Sequence, residues 1–291
     1  MREYLQSFLS ECEYPAEAIT ELMSSYGKVI SHSKSDFEAL ISEYENSYNI
    51  DYESAMEKMR EISKASGIHE YTGDLILFLA YTRGLKGYYK KQGIADEIYR
   101  NTVLDLRYKL DECILVKGVC GSFVAKWFVG FFKLERFALG RLQFEIIDFG
   151  AEYERDGLLL KPNSKVLNVH IPRTGTRLDR ESVLSSYRLA RDFYAPALGD
   201  RPVFVCSSWL LFPRHKELLK PGSNLLSFMD DYDIFASGEY SNYAEIWRLF
   251  DTDFDGDVKH LPADSSLRRA YVELISRGEK TGWGRGVFEY K

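Results

Sequence analysis

Through residues 1–134 the apolar positions recur at intervals of three and four, and after Leu139 the interval becomes two. The first pattern predicts a run of amphipathic helices, the second strands alternating with helices. Pro15 suits the first turn of a helix ending near Ile30. Ser35 with Glu38 forms a capping box for Phe37 to Tyr48, and Asp51 can cap Tyr52 to Ser66, which Gly67 stops. Longer periodic runs follow at Thr72 to Lys91 and Asp96 to Val116. The aromatic series Phe123, Trp127, Phe128, Phe131 and Phe132 closes the region as a buried helix.

Beyond Leu139, β-branched runs bounded by Gly, Pro and Asn predict strands at Gly140 to Phe149, Gly157 to Leu160, Lys165 to Ile171, Val203 to Leu211, Tyr232 to Ala236 and Trp283 to Tyr290. Helices are predicted at Asp179 to Tyr194, Arg214 to Leu219, Ser223 to Met229, Tyr243 to Phe250 and Asp264 to Ser276. An opening meander, then strand-helix-strand, then a return strand make an α+β layout: an all-helical N-terminal domain over 1–135, and over 136–291 a mixed, mainly antiparallel sheet covered by helices. A doubly wound dinucleotide fold is disfavoured, because the one glycine loop has a single Gly and no Walker A motif occurs.

Charge and cysteine content narrow the partners. The 291 residues carry 38 Lys and Arg against 44 Asp and Glu, a net charge of −6, which offers nucleic acid no counterion-release gain. Residues 1–70 hold 14 acids and 6 bases, so the later part is close to neutral and better suited to an anionic co-substrate. Cys12, Cys113, Cys120 and Cys206 are scattered, with no Cys-x-x-Cys pair, which suits a reducing cytoplasm. No apolar run is long enough for a membrane span, so no membrane partner is expected.

The segment Val166 to Tyr187, VLNVHIPRTGTRLDRESVLSSY, reads as a strand, a basic glycine loop and a helix start. Unpaired amides at the head of that helix, with Arg173 and Arg177 beside Gly175, would suit a phosphate; a plain turn capped by Thr176 or Asp179 fits the same letters. Strand alternation puts Asn168 and His170 on one face and Leu167, Val169 and Ile171 on the other. His170, at the strand's carboxyl end, has the pKa range of a general base, or is a hydrogen-bonded wall residue. Glu145 is a carboxylate base or the partner of an Arg such as Arg141. Cys206 is a packing residue or a proton donor to a leaving thiolate; no Gly-x-Ser-x-Gly elbow accompanies it. Asp251 to Val258 copies the opening of an EF-hand loop but has Pro262 at the twelfth position, so calcium lacks its bidentate ligand. Glycines 282, 284 and 286 suggest bends in an edge strand.

Several words in this order resemble a family: LGRLQFE (Leu139 to Glu145), VLNVHIP with its glycine loop, Ser185-Ser186-Tyr187, Arg191 to Tyr194, CSSWLL (Cys206 to Leu211), Ser223-Asn224 before Phe228, and LPADSSL (Leu261 to Leu267). They look like a bacterial family of two-part acyltransferase-like proteins, with a helical N-terminal domain and a C-terminal domain similar to the GCN5-related N-acetyltransferase (GNAT) fold. The resemblance implies acetyl-CoA or another acyl-CoA as co-substrate and a small-molecule amine as acceptor. It implies direct attack of that amine on the thioester, without a covalent enzyme intermediate. By the same resemblance the amides near Val169 to Ile171 would polarise the acyl carbonyl. Arg173, Gly175, Thr176 and Arg177 would surround the pyrophosphate, although the single glycine departs from the superfamily's R/Q-x-x-G-x-G/A. His170 or Glu145 would be the base and Tyr187 or Cys206 the acid. The competing readings are a noncatalytic binding or regulatory protein on a degenerate GNAT-like fold, and a metal-dependent hydrolase built on Asp251, Asp253 and Asp255.

Overall fold

A computed structural model describes residues 1–290. They divide into two compact units, Met1–Phe137 and the remainder from Ala138.

The first unit is helical: α1 (Arg2–Glu11), α2 (Ala16–Asn46), α3 (Tyr52–Ala65), α4 (Glu70–Lys91), α5 (Asp96–Lys117) and the single turn α6 (Val129–Phe132). The Asp51 signal is realised as a cap: its side chain accepts the Ser54 amide at 3.0 Å. Gly118, at φ +64°, closes α5 in the left-handed conformation. Helix α4 is buried along most of its length and forms the axis of the unit. Around it Tyr44 stacks on Tyr81 at 4.4 Å, and Phe78 meets Phe128 and Phe132 edge-on or tilted. Each such ring contributes roughly 1.5–3 kcal/mol by leaving water.

The helices expected to end near Ile30 and to begin at Phe37 are the two parts of α2, which is kinked between them at the non-helical Ser33 (φ −142°, ψ 38°). One expectation for this unit changes. The aromatic series is a 3-10 turn, Ala125–Phe128, running into α6, because its rings point to several neighbours instead of forming one stripe.

The second unit carries β1 (Arg136–Leu139), β2 (Leu142–Asp148), β3 (Tyr153–Arg155), β4 (Leu158–Leu160), β5 (Lys165–His170), α7 (Arg180–Leu198), β6 (Val203–Ser208), α8 (His215–Leu218), α9 (Asn224–Met229), β7 (Asp233–Glu239), α10 (Trp247–Phe250), α11 (Ser266–Ser276) and β8 (Gly282–Glu289). Six strands form one sheet in the order β1-β2-β5-β6-β8-β7, and β3 with β4 makes a separate hairpin. Strands β5 and β6 are parallel and joined through α7, whereas β2–β5, β6–β8 and β7–β8 are antiparallel. This is the mixed, mainly antiparallel sheet with helices that the periodicity predicts.

Strand alternation sorts the side chains. On one face Phe144, Phe204 and Phe288 pack against Tyr187 of α7, and Tyr194 donates its hydroxyl to the Phe144 carbonyl at 2.8 Å. On the other, Phe149, Val166, Val205 and Val287 form a core with Leu158 and Leu160 of the β3–β4 hairpin. Farther along that second face the apolar residues give way to Glu145, Asn168 and His170.

The strand expected to run to Leu211 ends at Ser208, whose hydroxyl accepts the Leu210 amide and turns the chain into a 3-10 turn, Trp209–Leu211. The glycine tail also differs from expectation: β8 lies between β6 and β7, in the interior of the sheet. Its glycines serve close approach. A Cβ at Gly284 would stand 2.1 Å from the Leu211 carbonyl oxygen, and one at Gly286 would stand 2.6 Å from the Tyr232 Cβ.

Candidate active site

The β5–β6 ladder pairs Leu167 with Phe204 and Asn168 with Val205, and it stops there. On their outer sides both strands stay paired for longer: β5 with β2 as far as His170, and β6 with β8 as far as Ser208. The two parallel strands therefore part at their carboxyl ends, the place where an α/β layout offers a crevice to a ligand. Val169 and Ile171 lie on β5 and its exit at this opening; Val169 turns its side chain to the buried face.

On the face of the sheet opposite α7 three polar side chains meet. Glu145 stands opposite Asn168 in the β2–β5 register, with His170 one pair farther along. The Glu145 carboxylate oxygen Oε1 lies 2.6 Å from His170 Nε2 and accepts the Asn168 amide Nδ2 at 3.1 Å. The His170 and Glu145 side chains keep 18% and 15% of their exposure, so the pair is shielded but reachable. Glu145, for which Arg141 was one expected partner, is thus in contact with His170, and Arg141, at the β1–β2 turn, reaches the glycine loop.

Arg141 is the loop's staple. Its guanidinium donates to the carbonyls of Pro172 (2.8 Å) and Thr176 (3.4 Å), and its own amide donates to the buried Ser186 hydroxyl at 2.8 Å. Within the loop, Gly175 adopts φ +77° with open space around its Cα, and the Thr174 and Thr176 hydroxyls lie 2.6 Å apart. Arg173 is held by the Asp251 carboxylate through both of its terminal nitrogens. Arg268 binds the same carboxylate and also the Leu249 carbonyl and Asp264. Arg177 is exposed and makes no side-chain hydrogen bond or ion pair among the described residues.

The helix tip itself is not a vacant anion site. Asp179 caps α7, its carboxylate accepting the Ser182 amide at 2.9 Å, and that backbone bond holds its pKa below the usual carboxylate range. Of the two sequence readings, the capped turn describes the first turn of α7. The amides and cations for a phosphate must come from the loop ahead of the cap: Gly175, Thr176 and Arg177.

Tyr187 and Cys206 are not brought to this cluster. Both belong to the α7-covered face. Tyr187 shares a hydrogen bond of 3.1 Å with Tyr232, and Cys206 has 0% exposure. Burial pushes both side chains far above their ordinary pKa values. Sequence parity places the neighbour Ser207, which is exposed, on the face of His170.

The Asp-rich segment is absorbed by internal contacts. Asp251 serves two arginines, Asp255 accepts from His260 at 2.6 Å, and Asp257 caps the Lys259 amide. No group of His, Cys, Asp and Glu able to hold a metal occurs among the described residues. The roles of Arg141 and Asp251 toward the loop were missed in the sequence. Contacts spanning 31 to 78 residues leave no short-range signal. That of Asn168 was within reach, since parity already placed it beside His170.

Residues 137–288 match the profile of the GNAT-like C-terminal domain, and residues 3–134 that of the N-acyltransferase N-terminal domain. No curated protein matches the sequence. Among solved structures, an acyltransferase in complex with decanoyl-CoA and teicoplanin is similar with a TM-score of 0.73 at 20% identity, over 98% of this chain and 87% of that one. A mutant acyltransferase in complex with octanoyl-CoA gives 0.73 and 20% over 99% and 88%. An acyltransferase in complex with CoA and 10C-teicoplanin gives 0.73 and 20% over 98% and 87%. At this identity the likeness is one of fold.

Proposed function

The chain belongs to the two-part GNAT-like N-acyltransferase family, and from that premise we propose that it transfers an acyl group from acyl-CoA to the amine of a small-molecule acceptor. The observation that carries the reading is the parting of β5 from β6 with the Glu145–His170 pair beside it, on the face opposite α7. Backbone groups of an interrupted ladder suit an extended co-substrate arm that itself carries amides, and an amide near Val169 to Ile171 can donate to the acyl carbonyl. The open Gly175 and the unpaired Arg177 suit a pyrophosphate. The solved neighbours, crystallised with decanoyl-CoA, octanoyl-CoA and CoA, support acyl-CoA as co-substrate.

In the reaction the acceptor nitrogen bonds to the thioester carbon, the carbon–sulfur bond breaks, and the amine proton passes to His170. Glu145, 2.6 Å from Nε2, offsets the charge the ring acquires. No covalent enzyme intermediate is needed for this direct attack. Tyr187 and Cys206 are not retained as acids, because they lie across the sheet from the base. Four free thiols fit a reducing cytoplasm as the place of action.

Thermal shift with acetyl-, octanoyl- and decanoyl-CoA tests the co-substrate; at 100 times Kd a ligand stabilises by roughly 2.7 kcal/mol. His170→Ala should lower turnover about 10²- to 10⁴-fold while leaving acyl-CoA affinity in place. Full retained turnover would remove His170 from the reaction. A noncatalytic binding protein is the second reading, favoured by the hold of Asp251 on Arg173 and by the Asp179 cap. A flat thermal response to every acyl-CoA would decide for it.

A further inference from the structure

Asn168 has a place in this cluster that neither its conventional strand position nor the family assignment specifies. Its Nδ2 lies 3.1 Å from Glu145 Oε1 and also 3.1 Å from His170 Nε2. The amide can point only one way, since its oxygen turned toward Glu145 would set two acceptors against each other. With the nitrogen toward the carboxylate, Oε1 has two N–H neighbours. The 2.6 Å contact between Oε1 and Nε2 then requires the ring proton to sit on Nε2, because Nε2 has a single in-plane lone pair and an ionised carboxylate is acceptor-only. A carboxylate with two donors on one oxygen is fixed in rotation, and the imidazole plane is fixed with it.

We propose that Asn168 is a positioning residue of the acyl transfer: by sharing Glu145 Oε1 with the His170 Nε2–H, it holds the imidazole in one tautomer and one orientation for the proton transfer from the acceptor amine. The inference rests on the acyltransferase reading for its catalytic consequence, but not for the hydrogen-bond arrangement itself. Asn168 acts only through Glu145 and His170 and touches no reacting atom.

Two measurements test it on the full chain. The first needs no turnover. In the ¹⁵N-labelled protein, at a pH where the ring is neutral, His170 should show an Nε2-bound proton in a downfield, slowly exchanging resonance, assigned by its loss in His170→Ala. Asn168→Leu, close in size but without the donor, should broaden or lose that resonance, and Asn168→Asp should do so as well. An Nδ1-bound proton in the wild type overturns the proposal whatever the variants do, as does a resonance unchanged in Asn168→Leu.

The second is a double-mutant cycle with octanoyl-CoA and a panel of water-soluble primary amines, followed by release of the CoA thiol. Asn168→Leu should lower kcat about tenfold, the size expected for one charge-assisted hydrogen bond, with KM for octanoyl-CoA within about twofold. Glu145→Gln alone and Glu145→Gln with Asn168→Leu should then be equally slow within about twofold, since the amide has lost the carboxylate through which it works. A further loss of about tenfold in the double variant overturns the positioning role. If no amine is acylated by the wild type while the Nε2 resonance behaves as expected, the enzymatic reading fails and the hydrogen-bond assignment stands.

Discussion

The guanidinium of Arg173 is clasped by the carboxylate of Asp251, 78 residues farther along the chain, and the Arg268 guanidinium binds the same carboxylate from the other side. The glycine loop after β5 is thus anchored to the Asp-rich segment, and Asp251, in a left-handed conformation at φ +60°, is shaped to reach it. Asp251→Asn should release the loop. With Arg173 partly exposed, the stability cost should be about 1–2 kcal/mol, read as a lowered denaturation midpoint. In the acyl-transfer assay KM for acyl-CoA should rise more than kcat falls. An unchanged KM would show that the anchor does not shape the loop.

Glu145→Gln keeps the size of the side chain and removes its charge. Because the carboxylate lies against the ring nitrogen that carries the proton, the variant should lose about 1.5–3 kcal/mol of transition-state stabilisation, roughly 10- to 100-fold in kcat. Acyl-CoA affinity, measured by calorimetry, should be unaffected.

Tyr187→Phe and Cys206→Ala test the opposite face. The first loses one hydrogen bond to Tyr232 and should cost about 0.5–1.5 kcal/mol of stability. The second leaves a small cavity and should cost about 1–2 kcal/mol. Turnover per folded molecule should stay within about twofold for both. A loss beyond tenfold in either would return that side chain to the reaction.

His215 is fully buried, its Nε2 2.6 Å from the Tyr271 hydroxyl and its Nδ1 donating to the Leu210 carbonyl, and burial lowers its pKa to about 4. The folded chain therefore holds this ring neutral where the unfolded chain, with a histidine pKa near 6.5, takes a proton. The contribution is fully present above about pH 6.5 and is lost as the pH falls toward 4, by about 3 kcal/mol. Denaturant melts across that window should be less steep in pH for His215→Phe than for the wild type. The buried Asp74, whose carboxyl is pushed up to about 6 by burial, works with the opposite sign and is lost as pH rises through that value, so the difference between the two proteins, not the raw curve, isolates His215.

Gly284→Ala and Gly175→Ala separate two uses of glycine. At Gly284 an added methyl would collide with the Leu211 backbone, and the variant should lose about 3 kcal/mol or more. At Gly175 there is open space and only the positive φ to oppose a side chain, so the cost should be about 1 kcal/mol and the fold should persist. Thermal melts of the two variants check the contrast.

The change of period at Leu139 made the fold class legible, because burial of one face is a local rule that each strand or helix obeys by itself. Alternation along Lys165–His170 likewise puts His170 and Asn168 on one face from the letters alone. What stayed hidden depends on order and distance. That β8 would enter the middle of the sheet, that Glu145 would meet His170, and that Asp251 would occupy Arg173 are pairings between distant segments. A single chain records each half of such a pair, but not which halves meet. The break at Ser33 illustrates the converse: it falls between the two helices expected from the letters, beside the capping signal at Ser35, because a helix boundary is set by neighbouring residues.

Because Gly282–Glu289 separates β6 from β7 in the sheet, neither neighbour can complete its hydrogen bonding until that late segment has joined them. Val203–Ser208 and Asp233–Glu239 must wait as unfinished edges while the 73 and 42 residues that separate them from Gly282 find their places, a long closure that slows folding and leaves adhesive strands exposed in the meantime. The slowest step in maturing this protein is therefore expected to be the docking of one glycine-rich strand, and chaperone demand should fall on that interval.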